Sequence, residues 1–239
     1  MLFEGNIYKF STDRINIFSI NADSSSSMES HADDMREGLR RYKKSFENFS
    51  EANSMAVAIN MFASSYYPSD FKNIKEFSTD YRTGGSTAIY YSIEKGAENL
   101  LDYIKEITAR NNCIPRATFI VLSDGEPCND PGTESRARKA IEKLNAAGVT
   151  TVFVAFGNAI SSNFGKSLGF IATLDIRDKS TLTTFMGEEL SRSCKEQSKS
   201  MKSLGAEFFS QANRNSRSAG YSAKSQTALE DDDWFDDIW

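Results

Sequence analysis

Ile15-Asn16-Ile17-Phe18-Ser19-Ile20-Asn21-Ala22-Asp23-Ser24-Ser25-Ser26-Ser27 is the stretch whose reading decides the fold. The mostly apolar run to Ala22 reads as a strand buried on both faces, and it ends on an aspartate followed by four serines. Asp23, Ser25 and Ser27 stand at alternate positions, so one carboxylate and two hydroxyls leave the strand end together. Hard divalent cations take oxygen ligands, and Mg²⁺ in particular works with few carboxylates and several waters. A serine run before a helix is equally a loop with a spare N-cap. The pentapeptide alone does not decide between the two.

Two other oxygen-rich loops weigh in. Thr83-Gly84-Gly85-Ser86-Thr87-Ala88-Ile89 is a glycine turn opening an amphipathic helix, and Phe119-Ile120-Val121-Leu122-Ser123-Asp124-Gly125 is a buried-strand pattern ending in Ser-Asp-Gly. In a parallel α/β sheet the C-terminal strand ends lie on one edge, where ligands bind. Three such loops therefore converge if the sheet is parallel.

Outside the loops the chain alternates strands and helices. Helical spacing of Met35, Leu39, Tyr42, Phe46 and Phe49 predicts a helix over 33–48, and Ile89, Ile93, Ala97, Leu101 and Ile104 predict another over 88–108. Strands are expected at 15–22, 55–63, 118–123, 149–156 and 171–176, with a short lead-in strand at 6–10 and a short edge strand at 74–78. A helix over 133–147 stops at Gly148, and a last one over 180–204 carries Leu182, Phe185, Met186, Leu190 and Met201. Strands separated by helices need crossover connections. The expected architecture is a doubly wound α/β fold, its sheet mostly parallel with one short antiparallel edge strand and helices on both faces.

The set Asp23-Ser-Ser25-Ser-Ser27-Met28, Gly-Ser-Thr87-Ala-Ile and Leu-Ser-Asp124-Gly resembles the von Willebrand factor A domain, from about Ile15 to Leu204. In that family these loops form a metal-ion-dependent adhesion site. The resemblance implies that Ser25 and Ser27 bind the cation directly, Asp23 directly or through water, Thr87 from the second loop, and Asp124 behind a water. It implies Mg²⁺, with Mn²⁺ or Ca²⁺ as alternatives, and an open position that takes an acidic side chain from a protein partner. Ser123 stands where the family often has threonine, and Asn21 interrupts the apolar strand; neither removes a ligand. Stand-alone bacterial members of the family, including the tellurite-resistance-associated ones, are similar in size, and that likeness implies a protein kinase, phosphatase or chaperone-like ATPase as partner.

Composition bounds the rest. The 239 residues carry a net charge of −5, enough chain for one core of about two hundred residues with a lead-in at 1–14. No basic stripe interleaved with aromatics argues for nucleic acid, and Arg40-Arg41-Tyr42-Lys43-Lys44 reads as a solvated helix face. No apolar stretch is long enough to span a bilayer, and Glu4, Asn6 and Lys9 break up any leader-like apolar segment. Cys113, Cys128 and Cys194, odd in number and widely spaced, fit reduced thiols in a cytoplasm.

Catalytic readings are weaker. Gly165-Lys166-Ser167 ends like a phosphate loop, but Ile160 stands where the first glycine belongs, and no Gly-x-Ser-x-Gly occurs. The only histidine, His31, reads as a residue of a first helical turn, and Asp130 as a turn residue that could border the rim of a site. The expectation is a binding protein, not an enzyme.

Beyond Leu204 the composition shifts. Residues 205–228 read as a flexible linker, rich in Ser, Asn, Arg and Gln, and 229–239 as an acidic aromatic peptide with six carboxylates. Trp234, Phe235, Ile238 and Trp239 are costly to leave in water, so they and Asp236 and Asp237 are the expected partner-binding residues. A tail packed on its own domain is the bland alternative. Asp236, Asp237 or the terminal carboxylate could also occupy the metal, on the same chain or on another copy. The alternative function is thus a structural subunit of an assembly, docking through this tail with the metal only stabilising.

Overall fold

Strand β1, Asn16–Asp23, is buried at every residue and lies at the centre of a sheet, hydrogen-bonded in parallel to β2 (Met55–Phe62) on one side and β5 (Arg116–Ser123) on the other. The computed structural model describes residues 14–111, 113, 115–176, 181–200 and 204–209. The expected lead-in strand at 6–10, most of the linker and the acidic aromatic tail lie outside these residues.

The sheet continues through β6 (Thr150–Phe156) and β7 (Ala172–Ile176), both parallel, and with Tyr66–Tyr67 as β3 at the other edge its order is β3-β2-β1-β5-β6-β7. Two short strands, β3 (Tyr66–Tyr67) and β4 (Lys72–Asn73), pair with β2 antiparallel. One such strand was expected, over 74–78. The ladder stops instead at Asn73, whose side-chain oxygen accepts from Lys75 N at 3.0 Å while Glu76 N bonds back to Asn73 O at 2.7 Å. This asparagine turn swings Ile74 and Phe77 into the core, where their spacing of three suits a turn and not a pleat.

Alternate residues of the central strands feed two cores. Phe18, Ile20 and Ala22 face helix α1 (Ala32–Ser45) and the C-terminal helices, with Met35, Leu39, Tyr42, Phe185 and Leu190. Ile15 and Ile17 face α2 (Ile89–Asn111) and α3 (Glu134–Ala146), with Ile93, Leu100 and Ile141. Fully burying each large apolar side chain stabilises by roughly 1.5–3 kcal/mol. Thr133 starts α3 by accepting from Arg136 N at 3.3 Å.

Asn21 does not break the strand. It sits in a buried polar network, donating to Ser92 O at 2.9 Å and Ser92 Oγ at 3.0 Å, while Asn60 donates to Asn21 Oδ1 at 2.9 Å. Gly96 makes room for it: a Cβ there would come within 2.2 Å of Asn21 Nδ2.

The run Gly165-Lys166-Ser167 lies in a short helix, α4 (Ser162–Ser167), whose first residue is held by Asp175 through Ser162 N at 2.6 Å and Ser162 Oγ at 2.7 Å. The C-terminal helix expected over 180–204 is three pieces: α5 (Leu182–Thr184), a π-helical turn (Phe185–Leu190) and α6 (Ser191–Lys199). Gly205–Phe209, expected to begin the linker, forms a 3-10 turn that buries Phe208 and Phe209 against Phe185. Two adjacent phenylalanines outweigh the polar composition around them. Among the described residues no helix is long and apolar enough to cross a membrane.

Candidate metal-binding site

The C-terminal ends of β1 and β5 meet at one sheet edge and bring Asp23 and Asp124 together. Asp23 is 1% exposed, and its two oxygens have separate partners. Oδ1 accepts from Ser25 N at 2.9 Å, and Oδ2 accepts from Ser123 Oγ at 2.5 Å. Ser25 is buried, with its hydroxyl 2.9 Å from Ser27 Oγ; Ser27 Oγ in turn donates to Asp124 Oδ1 at 2.7 Å. An unbroken hydrogen-bonded chain therefore runs from the first loop to the third.

Thr87 joins from the side. Its residue is buried, and a Cβ placed on Gly125 would stand 3.5 Å from Thr87 Oγ1 and 3.8 Å from Ser27 Oγ, so both hydroxyls border the same α-carbon. All five residues expected as ligands thus gather at one edge.

Backbone bonds stitch the three loops. Ser26 N donates to Gly85 O at 3.0 Å, Gly84 N to Ser24 O at 2.8 Å, and Cys128 N to Thr87 O at 3.0 Å. Gly85 has φ of +89°, and a side chain there would also meet Ser64 Oγ at 2.5 Å, so the second loop needs glycine at this point.

Three supports were not foreseen. Tyr81 donates its buried hydroxyl to the Asp23 carbonyl, and Arg36 Nε donates to Tyr81 O at 3.0 Å, which ties α1 to the strand end. Ser123 was noted only as a departure, yet its hydroxyl holds Asp23. Asp130 is a helix cap and not only a turn residue: its carboxylate accepts from Tyr90 N at 2.6 Å, Tyr91 N at 3.1 Å and Gly132 N at 2.8 Å. The sequence signal for it was the Asn-Asp-Pro-Gly turn, but nothing local says that the turn reaches α2.

Electrostatics fits a cation. Burial pushes the Asp23 carboxyl from 3.8 up to about 6, hydrogen bonds from Ser123 and Ser25 oppose the rise, and the Asp124 charge adds to it. Such a carboxylate gains from a nearby positive charge, and none of the hydrogen bonds it receives comes from a cationic side chain. Among the described residues no three His, Cys, Asp or Glu side chains cluster to hold a metal, so thiolate and imidazole sites are not on offer here. The donor set is two carboxylates and three hydroxyls, which suits a hard dication. Bound there, a dication would neutralise Asp23 and leave coordination positions to solvent or a partner. His31 is buried, its ring edge-on to Phe156 at 4.9 Å.

No protein-family model matches the chain, and no curated protein does. Solved structures do match. The pilus adhesin SpaC from Lactobacillus rhamnosus GG aligns with a TM-score of 0.61 at 12% identity, over 78% of this chain and 30% of that one. Proximal thread matrix protein 1 from the mussel byssus, solved with a zinc-occupied MIDAS motif, aligns at 0.55 with 18% identity, over 72% and 46%. VWA2, the ArnB paralog from Sulfolobus acidocaldarius, aligns at 0.50 with 19% identity, over 72% and 44%. This chain spans 30–46% of those three chains. At 12–19% identity the likeness is one of fold, and the structures that share it are von Willebrand factor A-domain proteins.

Proposed function

We propose that this chain is a Mg²⁺-dependent protein-binding module, taking an acidic group of a partner on a metal held by Asp23, Ser25, Ser27, Thr87 and Asp124. The observation that carries the reading is the hydrogen-bonded chain from Asp23 through Ser25 N and on through the Ser25 and Ser27 hydroxyls to Asp124, with Thr87 beside it. Two carboxylates do not saturate a hard dication, so the ion keeps affinity for a third carboxylate from outside. The zinc-occupied MIDAS motif of the mussel protein supports a metal at such a site without naming the ion preferred here.

The role is binding rather than turnover. The chain's one histidine is buried against Phe156, and in the proposed complex both carboxylates of the site serve the metal, which leaves no side chain assigned to proton transfer. Three cysteines, odd in number and widely spaced along the chain, support a reducing compartment, so an adaptor or regulator in a cytoplasmic complex is the setting we propose, with an ATPase, kinase or phosphatase as the class of partner.

Calorimetric titration of the full chain with Mg²⁺, Mn²⁺, Ca²⁺ and Zn²⁺, beside Asp23→Asn, tests this. Saturable Mg²⁺ binding that Asp23→Asn removes, with the variant still folded, supports the reading. Equal binding by both proteins, or Mg²⁺-stimulated turnover of a substrate, would overturn it.

A further inference from the structure

At the sheet edge opposite Asp23, the surface formed by the ends of α1 and α6 is cationic and aromatic. Lys195 Nζ stands 5.1 Å from the Phe46 ring centre and 5.7 Å from that of Phe49, and Lys199 Nζ stands 5.2 Å from Phe49. Lys43 Nζ lies 5.5 Å from the Phe77 ring and donates to Phe77 O at 2.8 Å. The position follows from Arg116, the first residue of β5, which donates to Gln197 O of α6 at 3.4 Å. The far end of β5 reaches Asp23, about 25 Å away along the strand.

These three ammonium groups form no ion pair among the described residues, while the arginines nearby are already matched: Arg40 and Arg41 with Glu37, and Arg192 with Glu189. Lys195 and Lys199 are one helical turn apart, a repulsive pair. Burial, and then the Lys199 charge, hold the Lys195 ammonium below its usual range. Glu51 is the carboxylate that senses Lys199, yet it keeps its contact with Ser50. An anion between the lysines would relieve the repulsion, and the partly buried Phe49 ring offers an apolar face beside them.

We propose that this surface docks the chain's own C-terminal segment Leu229–Trp239. Its six carboxylates match the lysines, and its Trp234, Phe235, Ile238 and Trp239 match the one partly exposed ring there, Phe49, which covers the buried Phe46 beside it. The path is short. Phe208 and Phe209 pack in the core that α1 and α6 share, and Leu204 N bonds to Gln197 Oε1 at 2.9 Å. A random-coil tether of nineteen residues, the length of 210–228, spans about 24 Å root-mean-square, enough for docking on the same molecule to be favoured by effective concentration.

The other surfaces fit this segment less well. Exposed Glu29 and Glu126 lie on the elements that follow the metal loops, beside the carboxylates of Asp23 and Asp124, where six more carboxylates would be repelled. The groove of about 1080 Å³ between α2 and α3 is lined by Asp70, Glu94, Glu98 and Asp102, which would repel the segment; Lys95, Lys105 and Arg136 are already paired with Glu98, Asp102 and Glu94, which leaves Lys139 and Lys143 as its cations outside those pairs.

Trp234 and Trp239 are the only tryptophans, so intrinsic tryptophan fluorescence of the full chain reports this segment alone. Blue-shifted emission shielded from acrylamide is expected. The double variant Lys195→Glu with Lys199→Glu should shift it to the emission of hydrated tryptophan. Lys195→Gln with Lys199→Gln, which keeps most of the stems over the rings, should do the same without altering far-ultraviolet circular dichroism. Reversing Asp231, Asp232 and Asp233 to lysine in the double-glutamate background should restore the shielding. Hydrated emission in the unaltered chain would overturn the proposal. So would shielding that survives both lysine variants, shielding that vanishes on dilution, or shielding lost with EDTA or Asp23→Asn instead.

Discussion

The Ser123 hydroxyl donates to Asp23 Oδ2 at 2.5 Å across the boundary between the two central strands, from a position one hundred residues further along the chain. This bond aims the Asp23 carboxylate and offsets part of the effect of its burial. Hydrogen bonds to a charged group contribute roughly 1.5–3 kcal/mol. Ser123→Ala should therefore weaken Mg²⁺ binding at pH 7 by about tenfold or more in calorimetry. Ser123→Thr, which keeps the hydroxyl, should retain most of the affinity.

The pH dependence has a definite sign. Asp23 in the fold without metal holds its proton up to about 6, against 3.8 ordinarily, so the fold binds the proton more tightly than the unfolded chain does. Stability from this group is complete below 3.8 and is lost as pH rises to about 6, amounting to about 3 kcal/mol. At the proposed site Mg²⁺ would compete with that proton. Thermal melts should show stabilisation by Mg²⁺ that is large at pH 7.5 and small at pH 5, and Asp23→Asn should abolish the difference.

Asp130 caps α2 from another loop, three residues after Thr87 in the helix it holds. Asp130→Ala should cost about 1–2 kcal/mol in urea unfolding, the range for a lost N-cap. It should also weaken Mg²⁺ binding, because Thr87 loses its anchor to the Asp124 loop. Unchanged affinity in a destabilised Asp130→Ala protein would show that the cap serves the fold alone.

The thiols should separate by reactivity. Cys128 is exposed, whereas Cys194 is buried, accepts the Tyr42 hydroxyl at 3.3 Å and has its thiol pushed up to about 12 by burial. A thiol reagent should label Cys128 rapidly in the native protein, and Cys194 only after unfolding.

Phe208 and Phe209 should behave as core residues. Phe208→Ala in the full chain should cost about 3–5 kcal/mol in urea unfolding. Removal of everything after Leu204 should destabilise at least as much, although that boundary looks safe from composition.

Periodic patterns decided the broad architecture. The apolar run 15–22, the helical stripes of α1 and α2, and three oxygen-bearing loops in order, two at strand ends and one opening a helix, are local features, and burial on both faces of a parallel sheet leaves them legible. The five candidate ligands were legible for the same reason, since each lies where a strand or helix of the pattern ends. The tertiary structure alone decided what holds them: Ser123 on Asp23, Tyr81 on the Asp23 carbonyl, Asp130 on α2, and the amide network that buries Asn21. It also turned the chain at Asn73 and carried Phe208 and Phe209 into the core. Each of those depends on a polar group or a short apolar pair meeting a partner brought to it by folding. Periodicity reports which face of an element is buried, but a single hydrogen bond across a hundred residues has no period and is set only when the sheet closes.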